Sequence, residues 1–84
     1  MFKLEFSNNS KKFLKKAEKK VCIRILNKIE ELINNPFPSD CKRVEGRSEK
    51  VYRIRVGNYR ILYVVFQNEN KLSISDIDKR SKIY

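Results

Sequence analysis

Eighty-four residues, 40% of them hydrophobic, suffice for one small domain with a single core and leave no room for a second. The absence of histidine, with two isolated cysteines (Cys22 and Cys41), argues against a zinc site or a disulfide framework, and two glycines cannot build a Gly-rich phosphate loop. Twenty Lys and Arg against ten Asp and Glu give a net charge of +10, which points to a polyanionic partner without choosing among RNA, DNA and an acidic protein.

Phe2, Leu4 and Phe6 alternate with Lys3 and Glu5, so residues 2–6 read as a half-buried strand. The opening is too short and too alternating for a signal peptide, and no apolar run is long enough to span a membrane. The expectation is a soluble, cytoplasmic protein with no membrane partner. Ser7, Asn8, Asn9 and Ser10 are all good N-cap types. From there to Asn35 the chain contains no Gly and no Pro, and its composition is strongly helical.

One helix of that length would run on the order of 40 Å, more than so short a chain can house in a compact domain. Phe13, Ala17, Val21, Ile25, Ile29 and Ile33 fall four apart, a stripe that drifts by roughly 40° per step on a straight helix. Two helices are predicted instead, over 8–17 and 20–34, joined as a hairpin near Glu18 to Lys20. Lys11, Lys12, Lys15, Lys16, Lys19 and Lys20 crowd this region. They form either a solvated helix face or a phosphate-backbone contact, and the sequence leaves both readings open. Cys22 falls in the helical pattern and is expected to pack. Cys41 falls in a loop.

Asn35 before Pro36 ends the second helix, because a residue preceding proline is biased away from helical backbone. Residues 39–43 read as loop, and Val44 begins a short strand or bend closed by Gly46. Val51 to Phe66 then alternates β-branched and aromatic residues around Gly57-Asn58, a two-residue hairpin turn of type I′ or II′. In that register Arg55 faces Arg60, Ile54 faces Ile61 and Tyr52 faces Tyr63. One face carries Tyr52, Ile54, Val56, Tyr59, Ile61, Tyr63 and Val65 as a core. The other carries Arg53, Arg55 and Arg60, with Leu62, Val64 and Phe66 beyond them, and is expected to be open. Gln67 to Asn70 is a polar turn, and Leu72, Ile74 and Ile77 mark a last strand over 71–78. The fold class predicted is α+β: an antiparallel sheet of four to five strands with a two-helix hairpin on one face.

Opposed arginines sit roughly 4.5–5.5 Å apart at Cβ and repel. Three guanidinium groups on one patch of sheet suit a phosphate, whose oxygens match the planar donor fork of arginine. Long side chains splaying apart over a solvated face would be the plain alternative.

The helical hairpin ending at Asn35-Pro36, the Lys42-Arg43-Val44-Glu45-Gly46 segment, the Tyr52 to Tyr63 hairpin with its Gly-x-Tyr-Arg turn, and the closing Lys79-Arg80 to Tyr84 together resemble the RelE/ParE superfamily of small toxins, over residues 1–84 as a single domain. The resemblance lies closest to the RelE-like branch. It implies a cognate antitoxin that wraps the toxin in a hetero-oligomeric complex. It further implies either metal-independent cleavage of mRNA on the ribosome, as in the RelE branch, or poisoning of DNA gyrase, as in the ParE branch. A basic nucleic-acid-binding module without toxicity is the plainest alternative. Carried over residue by residue, the resemblance assigns catalysis to Arg53, Arg55, Arg60, Arg80 and Tyr84. The RNA-binding candidates are the six lysines at 11, 12, 15, 16, 19 and 20, together with Arg47 and Lys50. No cofactor and no metal are expected.

Cleavage of this kind is attack of a ribose 2′-hydroxyl on the adjacent phosphate. Arginines neutralise the phosphate but do not readily accept a proton, since the guanidinium pKa lies above about 12. With no histidine, the proton falls to Tyr84, Tyr63 or a carboxylate.

Overall fold

The computed structural model describes residues 2–44, 46 and 50–79. Their order is β1 (Lys3–Phe6), α1 (Asn8–Lys16), α2 (Lys19–Asn34), β2 (Lys42–Arg43), β3 (Val51–Val56), β4 (Tyr59–Phe66), a 3₁₀ turn over Gln67–Glu69, and β5 (Lys71–Lys79). The strands form one sheet in the order β1-β5-β4-β3-β2. The fold class is the expected one, with one pairing different. β1 runs parallel to β5, in the register Lys3↔Lys71 to Phe6↔Ile74, so the sheet is mixed. The helical hairpin intervenes between β1 and the rest and returns the chain so that its first strand lies beside its last. Alternation along a strand shows which residues share a face and says nothing of the partner's direction.

The α1 N-terminus is built as the cap residues foretell. Ser7 accepts from the Ser10 amide through its Oγ at 3.1 Å and in turn donates to the Ser75 carbonyl at 2.7 Å. Ser10 is fully buried and donates to the Ile74 carbonyl at 3.1 Å. These bonds land beside an irregularity in β5. Leu62 pairs with Asp76 but Tyr63 with Ile74, leaving Ser75 as the extra residue of a β-bulge.

The helices part at Ala17 and Glu18, both extended (ψ 152° and 149°), with no glycine or proline to mark the break. A bent path is what the molecule requires, since its principal extents are 34 × 28 × 25 Å. Both helices cover one sheet face. Ile25, Ile29 and Leu32 of α2 pack with Ile54, Ile61, Tyr63, Leu72, Ile74 and Ile77, and all the hairpin residues predicted for the core belong to this cluster. Phe13 meets Tyr59 edge-on with ring centroids 5.6 Å apart, joining α1 to the hairpin. Cys22 is half-buried, its thiol donating to the Leu14 carbonyl at 3.0 Å.

The β3–β4 register is the predicted one, from Val56↔Tyr59 back to Tyr52↔Tyr63. Gly57 takes φ +58°, whereas Asn58 is not among the positive-φ residues, the combination of a type II′ turn. A side chain here would also have to push aside the flexible end of Arg24. A Cβ at position 57 would lie 2.9 Å from Arg24 Nη2, whose guanidinium arches over it from α2.

Candidate active site

On the face away from the helices, directly opposed residues form rows across the strands. One row is Arg55–Arg60–Asp78 and the next is Lys42–Arg53–Leu62–Asp76. Neighbouring strands stand about 4.8 Å apart, so each row is compact. Arg55 is exposed and Arg53 half-buried, and together with Asp40, Lys42 and Ile54 they line a cavity of about 230 Å³.

The expectation that this face is open needs correcting in two places. Arg60 is buried, with 4% of its surface exposed. It stands on the central strand, flanked by Arg55 on one side and Asp78 on the other, so its stem is packed from both sides. Farther along, Leu62 (4%) and Val64 (8%) are also buried, in a second apolar cluster with Val51 that Val44 and Phe66 adjoin. These residues are not wet, as the alternation alone had implied. The pattern assigns them to a face but does not tell whether that face is covered.

The remaining predicted residues fall in different places. Arg80, Tyr84 and Arg47 lie outside the described residues. Lys11, Lys12, Lys15, Lys16, Lys19 and Lys20 are all exposed, but they belong to the helical layer, not to the arginine rows. Lys12 and Lys16 border a groove that also meets Tyr59, Asp76, Asp78 and Lys79. Lys50 is exposed, just ahead of β3. Lys42 joins the basic rows without having been singled out in the sequence. Its signal was only a basic residue two strands' width from Arg60, visible once β2 is paired with β3.

Tyr63 is removed as a proton acceptor. It is fully buried and its hydroxyl donates to the Pro36 carbonyl at 2.7 Å, and burial pushes its pKa far above the ordinary tyrosine value, with the neighbouring Cys41 adding to the rise. It is a core residue that pins the 35–38 loop, seconded by the Phe37–Tyr52 ring contact at 5.1 Å. Among the described residues no group of three potential ligands could hold a metal ion, and no helix is long and apolar enough to cross a membrane.

A two-helix hairpin on one side of a small sheet is a fold this chain shares with RelE toxins of solved structure. The RelE–RelB complex of Pyrococcus horikoshii contains a chain that superposes with TM-score 0.82 at 25% identity, over 96% of this chain and 97% of that one. The RelB–RelE complex of Methanococcus jannaschii gives TM-score 0.73 at 31% identity, over 95% and 94%. The isolated Escherichia coli RelE toxin shares the fold at TM-score 0.81 and 20% identity, over 94% and 84%. In sequence, a Methanocaldococcus jannaschii relative bearing the name toxin RelE1 is 41% identical over 59 residues; the match takes in 67% of this chain and spans 64% of the relative's length. The family described as ParE toxin of type II toxin-antitoxin system, parDE, matches residues 4–84. The chain belongs to that family, within the RelE/ParE superfamily.

Proposed function

We propose that this protein is the toxin of a type II toxin–antitoxin pair and acts in the cytoplasm as a ribosome-dependent mRNA endoribonuclease. The observation that carries this reading is the crowding of Lys42, Arg53, Arg55 and Arg60 into two adjacent rows of one sheet face. Like charges in register cost a fold stability and are useful where a phosphate must be held. In the proposed reaction the arginines supply preorganised positive charge to the phosphorane as the 2′-oxygen attacks in line, a role a metal ion plays in other nucleases. Arg80 and Tyr84, assigned by resemblance, complete the set. The partner is an antitoxin, as in the two archaeal relatives solved with RelB. The excess of ten positive charges suits both an acidic antitoxin segment and ribosomal RNA.

Arg55→Gln tests the reading cleanly because Arg55 is exposed. Its stability should stay within about 0.5 kcal/mol of the parent, while cleavage should fall about 10²–10³-fold. Thermal melts and primer extension on translated mRNA measure the two effects. A fully toxic Arg55→Gln variant would refute the phosphate site. The matching family carries the ParE name, and the resemblance to that branch gives the second reading, in which the target is gyrase. That outcome would appear as intact mRNA with stalled gyrase–DNA complexes.

A further inference from the structure

We propose that Asp78 is the proton acceptor for the attacking 2′-hydroxyl, an inference that rests on the endoribonuclease reading above. The argument begins with the bulge at Ser75. Leu72 and Ile74 face the helices, and after the bulge Ile77 does so too, with Asp76 and Asp78 turned to the arginine side. Were β5 to pair without the extra residue, Ile77 would stand opposite Arg60 and both carboxylates would point into the helix-covered core. The bulge is held by the Ser7 and Ser10 hydroxyls on the Ser75 and Ile74 carbonyls. Two serine hydroxyls thus help to put an acid in the row Arg55–Arg60–Asp78.

Among the described residues the other candidates are less well placed. The chain has no histidine, and Tyr63 is buried and bonded to Pro36. Asp40, at the rim of the arginine cavity, is ion-paired with Lys28 of α2 at 3.3 Å. Asp76 lies one row further along, opposite Leu62. Asp78 is half-buried, and its Oδ1 accepts from the Lys79 amide at 2.7 Å, which orients the carboxylate. Arg55 on β3 and Asp78 on β5 stand at the two ends of that row, two strand spacings or roughly 9–10 Å apart.

In the step proposed, the Asp78 carboxylate takes the 2′-hydroxyl proton as the O2′–P bond forms. The P–O5′ bond breaks, its electron pair leaves on O5′, and O5′ takes a proton from solvent. The products are a 2′,3′-cyclic phosphate and a 5′-hydroxyl.

The test is single-turnover cleavage of mRNA in the A site of programmed ribosomes. Asp78→Asn can keep the bond to the Lys79 amide, so it should melt like the parent. It should cleave about 10²–10⁴-fold more slowly. Asp78→Glu should recover part of the rate, and Asp76→Asn should cleave within a few-fold of the parent. An mRNA with sulfur in place of the 5′-oxygen has a leaving group that needs no proton. The Asp78→Asn defect should persist on it, because the attacking hydroxyl still needs a base. A defect that vanishes on the sulfur substrate, or an unimpaired Asp78→Asn, would overturn the inference while leaving the endoribonuclease reading intact. Failure of the parent protein to cleave any programmed mRNA would overturn both.

Discussion

Tyr63 carries a hydroxyl into a fully buried position, and its bond to the Pro36 carbonyl holds the loop that follows α2 against the sheet. A phenol whose folded-state pKa is raised contributes fully below about pH 10, where the unfolded chain also keeps its proton. Above that the unfolded chain ionises first, so stability should fall by about 1.4 kcal/mol per pH unit for this one proton. Tyr63→Phe should remove that slope and, at neutral pH, cost about 0.5–1.5 kcal/mol for the lost hydrogen bond. Denaturant titrations of both proteins at several pH values would check this; an alkaline slope identical in the variant would contradict it. Arg60 shows what the sequence could not reveal at this scale. Alternation placed it with Arg53 and Arg55, correctly, but its burial depends on β5 lying along the other side of β4. Arg60→Gln should therefore destabilise by about 1–3 kcal/mol, where an open face would have made it neutral. A melt unchanged from the parent would argue against that packing.

Among the elements, the hairpin was the most legible, because its turn chemistry and period-2 pattern fix register locally. The helix boundaries also read well, within a residue or two, from the Ser7 cap and the Asn35-Pro36 stop. The bulge was written in the sequence too, as the change from even apolar positions (Leu72, Ile74) to an odd one (Ile77), but its effect on Asp76 and Asp78 needs the pairing with β4. Its anchorage was invisible, since serine hydroxyls before a helix announce a cap and not a second bond to a distant strand. Ser10→Ala should cost about 1–3 kcal/mol, as the buried Ile74 carbonyl loses its side-chain donor. Ser10→Thr should not restore it fully, because the site is closely packed. Equilibrium unfolding of the two variants would measure this, and a neutral Ser10→Ala would mean the bulge holds itself.

For the whole molecule, composition gave a net charge of +10, and the fold sets six exposed lysines on the helical hairpin and Arg53, Arg55 and Arg60, with Lys42, on the opposite face of the sheet. The parallel pairing of β1 with β5 was not legible, and it bears on how the chain comes into being. Lys3 joins Lys71, and its amide donates to the Asn70 carbonyl at 2.8 Å, so the first strand made finds its neighbour only in the last. Contacts that span almost the full chain form late, because loop closure must precede any reward from pairing. In pulse-labelled hydrogen exchange the amides of Lys3–Phe6 should gain protection after those of the β3–β4 hairpin; simultaneous protection would contradict this. During synthesis the two strands of the hairpin emerge one after the other, whereas the edge of the sheet waits for Lys71–Ile74. The Ser7 and Ser10 clamp waits with it, and so does the phase of β5. A nascent chain therefore carries its arginines through the ribosome before it can carry the carboxylate row that faces them.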